Sequence, residues 1–199
     1  MSETLQQKIL DLALPLIKAQ NLELWGLEVT DGPVLKVRLY VDVPNGSSGD
    51  GALSESPVSA SIDQCESISR QLGLALDVED CIDRPWNLEV SSPGLERRFF
   101  TLEQLVPYKG DIIEVRLKEP LPGTDRKTWR GKLLDVEDGT IRLQPCSVDA
   151  DGTVEPENTD PASLPWADAA RAKRIHIFTL PQKPGKNSAP RKIQTPRRA

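Results

Sequence analysis

The chain has 199 residues, 38% of them hydrophobic, with 30 acidic and 25 basic side chains and a formal net charge of −5. That length allows two small domains or one of ordinary size, and no apolar run approaches the ~20 residues of a membrane-spanning helix. An acidic balance does not suit non-specific nucleic-acid binding, which is driven by neutralising phosphates.

The charge is unevenly spread. Residues 1–100 carry 8 basic and 16 acidic groups, residues 101–180 carry 11 and 14, and residues 181–199 carry 6 basic groups and no acid. An acidic body of this kind fits a basic protein partner, because complementary fields speed encounter. The opening MSETLQQK lacks a basic-then-apolar leader, so a cytoplasmic location is expected. Cys65, Cys81 and Cys146 form no C-x-x-C pair, which argues against a disulfide framework or a zinc site and leaves them as small buried residues.

Leu5, Ile9, Leu12 and Leu16 recur at helical spacing, which predicts a first helix starting near Thr4. Pro15 falls inside the stripe and is expected to kink or end it. Leu22 to Thr30 reads as a strand, Asp31-Gly32 as a turn, and Leu35, Val37, Leu39 and Val41 as one face of a second strand, together a hairpin. Residues 44–60 are rich in Gly, Ser and Pro and read as a mobile loop.

Ser61-Ile62-Asp63-Gln64 is a capping-box signal. Cys65, Ile68, Leu72 and Leu76 continue it as a helical stripe, which the acids of Asp77-Val78-Glu79-Asp80 are expected to stop by Leu76. Trp86 to Val90 is a third strand, giving the order α-β-β-α-β with both helices over one face of the sheet. Ser92-Pro93-Gly94-Leu95 has the proline and glycine placement of a type II turn. Arg97, Arg98, Phe99 and Phe100 follow it directly.

Beyond this corner the pattern is all strand. Ile113, Val115 and Leu117 alternate with charged residues, Pro120 to Gly123 turns the chain, and Trp129 to Val136 is a second strand. Glu137-Asp138-Gly139-Thr140 is a hairpin signal leading to Ile141 and Leu143. Short strands at this spacing imply a small closed barrel, and the pattern alone does not separate an SH3-like from an oligonucleotide-binding one. Residues 147–170 hold six acids and no basic group, so the stretch before Trp166 reads as an acidic loop. Ala167 to Lys173 reads as a short helical turn. Arg174 to Phe178 reads as the closing strand, with His176 exposed on it. The Pro- and Lys/Arg-rich stretch 181–199 reads as a disordered basic tail.

No phosphate loop, dinucleotide fingerprint, zinc-protease or serine-elbow motif occurs. No enzyme, cofactor or metal is therefore expected. Ser91 and Ser92 have no base supplied in sequence and read as strand-end and turn residues, and Asp42 reads as a polar strand end. Contact surfaces are the better candidates. Arg97 and Arg98 either grip phosphates or carboxylates with their bidentate forks or form surface salt bridges to Glu96 or a neighbour. Arg126, Lys127, Arg130 and Lys132 make a basic rim beside Trp129, which stacks on RNA if exposed and fills a core if buried.

The string LEVSSPGLERRF, residues 88–99, resembles the signature of the bacterial ribosome maturation factor RimP family, which usually runs L-E-V-S-S-P-G-L-D/E-R-P-L. It departs at Arg98, where the family commonly has proline, and at Phe99, where it commonly has leucine. Asp63-Gln64-Cys65-Glu66 through Asp80 resembles the family's D-x-C-E…L-D-V-E-D run, and Ala172-Lys173-Arg174-Ile175 loosely resembles its K-A-R-L/V segment. The 44–60 loop looks longer than its family counterpart.

The resemblance implies an α+β protein. Residues 1–95 would form a two-layer domain, residues 96–180 an SH3-like (Sm-like) β-barrel, and residues 181–199 a tail. It implies a monomeric, non-enzymatic factor for 30S small-subunit assembly, with 16S rRNA and ribosomal protein twelve of the small subunit as partners, the latter engaged by the barrel. Two domains angled by the corner would then bridge rRNA and a basic protein, with Ser91, Ser92, Pro93, Gly94, Arg97, Arg98, Arg126, Lys127, Arg130 and Lys132 as contact residues. A second reading, an Sm-like RNA-binding regulator, predicts rings and tight binding to free RNA.

Overall fold

The computed structural model describes residues 2–44, 59–149 and 152–177. Most of the 44–60 loop, Phe178 and the 181–199 tail lie outside them. The protein is a mixed α+β chain with a helix-covered sheet followed by a mainly stranded portion.

Helix α1 spans Ser2–Ala19 and strands β1 and β2 span Glu23–Thr30 and Leu35–Asp42. The helix does not end at Pro15 but runs one further turn. Ile17, 1% exposed, lies in that turn and packs into the same cluster as Ile9 and Ala13, so burial outweighs the hydrogen bond that proline cannot donate. The helix then closes in a Schellman motif. Asn21 adopts φ 56°, Leu22 N donates to Ile17 O at 3.1 Å, and Asn21 N donates to Lys18 O at 3.0 Å.

Helix α2 spans Ile62–Glu79 and strand β3 spans Trp86–Ser91. Its start is the expected capping box: Ser61 Oγ accepts from Gln64 N at 3.2 Å, and Gln64 Oε1 accepts from Ser61 N at 2.9 Å. Its end passes Leu76 and stops at Asp80, which takes the left-handed conformation. Asp77, Glu79 and Asp80 are exposed, so water screens the unfavourable meeting of acids and helix dipole.

Strand β2 pairs antiparallel with β1 and parallel with β3, placing it centrally. Cys65, Ile68, Leu72 and Leu76 of α2 share one apolar cluster with Leu35, Val37, Leu39 and Val41 of β2 and with the α1 stripe, so both helices cover the same face.

The remaining strands are β4 (Arg98–Phe99), β5 (Ile112–Leu117), β6 (Thr128–Glu137), β7 (Thr140–Val148), β8 (Val154–Pro156), β9 (Ala162–Pro165) and β10 (Ala169–Arg174). They pair in the order β4-β10-β5-β6-β7-β8, with β9 also on β7. Among the described residues this path has two ends and no pairing closes it into a ring. The Asp138-Gly139 turn has φ 47° and 74°, the double positive value of a type I′ hairpin turn.

Several local expectations change here. The acidic stretch after β7 is not wholly loop, because β8 and β9 return antiparallel along β7. A 3-10 turn does occupy Trp166–Asp168, but the chain from Ala169 is strand rather than helix. It is inserted between β4 and β5, where Ala172 is fully buried. Backbone pairing on both sides decides the conformation against the alanine-rich composition. His176 lies beyond the strand and is half-buried rather than exposed. A 3-10 segment over Glu103–Tyr108, which the hydrophobic pattern does not signal, buries Leu105.

Candidate functional site

The corner between the two portions is tied to both of them by ion pairs and hydrogen bonds. β3 ends at Ser91, and Gly94 takes the positive φ of 70° expected of it, but residues 92–94 form no hydrogen-bonded turn and the chain bends instead at Leu95 and Glu96. Leu95 and Glu96 stand exposed. Arg97 then points back into the protein, with its side chain 12% exposed.

Arg97 Nη1 donates to Asp42 Oδ2 at 2.6 Å and to the Tyr108 hydroxyl at 3.0 Å. The guanidinium lies 5.2 Å from the centroid of the Trp25 ring. Asp42, 2% exposed, is the one charged residue buried among the described residues. Its other oxygen accepts from Val43 N at 3.0 Å. A buried carboxylate tolerates such a site when it is both ion-paired and hydrogen-bonded. Asp42 is thus more than a polar strand end: it joins the end of β2 to the chain beyond the corner.

Arg98 pairs with Glu28 of β1, and its guanidinium lies 5.2 Å from the Phe100 ring centroid. Its carbonyl accepts from Trp25 Nε1 at 2.7 Å. Gln104 bridges the same junction: its Nε2 donates to Trp25 O at 2.6 Å, while its Oε1 accepts from Phe100 N at 2.7 Å. Glu96 pairs not with either arginine but with Lys173 of β10, at 3.2 Å.

Trp25 reaches this junction because the β1–β2 register slips between Leu24 and Gly26. The extra residue turns the indole away from the helix-covered core, and it joins Phe99, Leu105 and the strand residues of the second apolar cluster. Gly26 beside it is required to be small, since a Cβ there would overlap the Phe100 ring. Tyr40, across the strand from Gly26, meets Phe100 at 5.6 Å between centroids. A glycine next to a bulky aromatic inside an alternating strand was the available sequence signal for a bulge and a close approach.

The basic rim is mostly paired. Arg126 holds Glu157 at 2.9 Å, Lys127 holds Glu119 at 3.3 Å, and Arg130 holds Glu114 at 2.7 Å. Lys132 is exposed. Trp129 is partly buried against the second cluster, its Nε1 donating to Arg126 O at 3.1 Å and the Arg126 guanidinium 4.8 Å from its ring. Burial pushes the thiols of Cys65 and Cys146 up from the ordinary value, and all three cysteines are free. Among the described residues, no group of three or more His, Cys, Asp or Glu is placed to hold a metal ion. No described helix is long and apolar enough to cross a membrane.

Comparison with known proteins matches the chain to related sequences along most of its length. A family model described as the RimP N-terminal domain matches residues 12–96. The ribosome maturation factor RimP of Desulfovibrio desulfuricans is 42% identical, the alignment covering 92% of this chain and 84% of that protein. That of Nitratidesulfovibrio vulgaris strain Miyazaki F is 39% identical, covering 96% and 91%. That of Lawsonia intracellularis is 38% identical, covering 92% of each.

Proposed function

Because the chain belongs to the RimP family of ribosome maturation factors, we propose that it acts in ribosome maturation as a non-enzymatic assembly factor for the 30S subunit in the cytoplasm. The observation that carries this reading is the likeness to ribosome maturation factors over more than nine-tenths of the chain. The braced corner supports a mechanical role. Arg97 and Arg98, within the segment that resembles the family signature, pair with Asp42 and Glu28 of the preceding portion.

We read residues 1–95 and 96–180 as two domains, which the two separate apolar clusters support, with 181–199 beyond them. The second domain reads as an SH3-like (Sm-like) barrel left open at its ends. Its short antiparallel strands around one cluster support this. The factor acts as a monomer without a cofactor. Its barrel meets a basic ribosomal protein, for which protein twelve of the small subunit is the family-implied candidate, and the net charge of −5 supports a basic partner. Its basic groups meet 16S rRNA.

Within the candidate set, Ser91, Gly94, Lys127 and Lys132 are exposed and supply contact. Arg97, Arg98, Ser92 and Pro93 act by shaping the corner, and Arg126 and Arg130 by holding the rim. Deleting the gene for this chain and resolving ribosomal particles on a sucrose gradient tests the proposal. A build-up of free subunits and precursor small-subunit rRNA is expected. Normal subunit ratios with fully processed rRNA would overturn it.

A further inference from the structure

On β5 and β10, Arg116 and Arg171 are register partners, and both are exposed. Like charges directly opposite one another on antiparallel strands destabilise a sheet. Neither arginine has an acid within ion-pair distance among the described residues, although nearby acids are present. Glu114 is held between Arg130 at 2.7 Å and Lys173 at 4.0 Å, Glu119 pairs with Lys127, and Glu28 pairs with Arg98. Asp168 is exposed in the turn before β10. Lys118, just beyond the end of β5, adds a third cation, its Nζ donating to Ala167 O at 2.8 Å.

Arg171, the register partner of Arg116, lines a groove of about 330 Å³ whose wall includes Arg98, Phe99, Phe100, Lys118 and Trp166. The groove therefore combines two features: unsatisfied positive charge at its lip, and three aromatic residues in its wall. Phosphate answers the first and an unstacked base answers the second, a combination found in single strands but not in acidic peptide or in the stacked interior of a duplex.

We propose that the β5–β10 face binds a single-stranded RNA segment, with backbone phosphate between Arg116 and Arg171 and a base in the groove beside Trp166. The proposal rests on the reading that the factor contacts rRNA and assigns that contact to residues outside the 126–132 rim. The like-charge pair, costly in the free protein, is relieved by the bound anion.

The test titrates the full chain against a fluorescein-labelled oligouridylate across a series of KCl concentrations. For Arg116→Ser/Arg171→Ser, binding roughly tenfold weaker is expected, and a log–log salt slope shallower by about 0.7, one single-strand phosphate's worth. The six cations of residues 181–199 are common to both proteins and cancel in the comparison. Trp166→Phe is expected to weaken binding with the slope unchanged, since it removes stacking surface and no charge. Both arginines are exposed, so thermal unfolding of the double variant is expected at or above the wild-type temperature.

Unchanged affinity and slope in the double variant would overturn the proposal. So would displacement of the RNA by polyglutamate as readily as by unlabelled RNA, which would make the face a site for acidic protein. Wild-type protein that binds oligouridylate but no precursor subunit would sink the assembly reading and leave this face standing.

Discussion

Asp42 and Arg97 lie 55 positions apart in sequence, and their 2.6 Å contact is the most buried ion pair among the described residues. Removing one member of such a pair leaves the other charged and desolvated, which costs far more than a surface salt bridge contributes. Asp42→Ala is expected to destabilise the fold by ~3–5 kcal/mol, read from urea unfolding. Asp42→Leu/Arg97→Met, which removes both charges while keeping volume, should recover most of that loss. A single variant as stable as wild type would show that water reaches the pair. The residue types were legible: an acid at a strand end and two arginines after a turn. Their partnership was not, because neither periodicity nor spacing encodes a contact between the end of β2 and the far side of a corner.

At the scale of the element, local chemistry decided the starts and turns of elements better than it decided where they stop. Ser61 and Gln64 satisfy orphan amide groups within four residues of each other, so α2 begins where its sequence says. Ser61→Ala is expected to cost ~1 kcal/mol by urea denaturation, with the native circular dichroism retained. No loss would mean that the packing of Cys65 and Ile68 alone holds the first turn. Ends were less legible because burial competes with propensity there. Ile17 carries α1 past a proline, and pairing on both edges turns Ala169–Arg174, good helix formers, into β10.

Across the whole molecule, the decisive device is the bulge that passes Trp25 from one apolar cluster to the other. Its indole Nε1 donates to Arg98 O and its carbonyl accepts from Gln104, so the helix-covered sheet and the later strands share a large side chain. Trp25→Ala is expected to cost ~3–5 kcal/mol and to split one calorimetric unfolding transition into two, the second sheet melting first. A single transition at unchanged temperature would show that the Arg97–Asp42 and Arg98–Glu28 pairs couple the halves without the indole.

The one-dimensional pattern determined what depends on near neighbours: the α-β-β-α-β order, the capping box, the Asp138-Gly139 hairpin, the positive φ of Gly94 and the family resemblance. Helical and strand periods and turn preferences act over a few residues, so they survive reading in one dimension. Tertiary structure alone decided what each charge faces. Arg97 and Arg98 were turned inward to brace the corner, the rim found acids to hold, and Arg116 met Arg171 across two strands separated by most of the second sheet's sequence. Those outcomes follow from desolvation and strand register, and both are set only when distant segments come together.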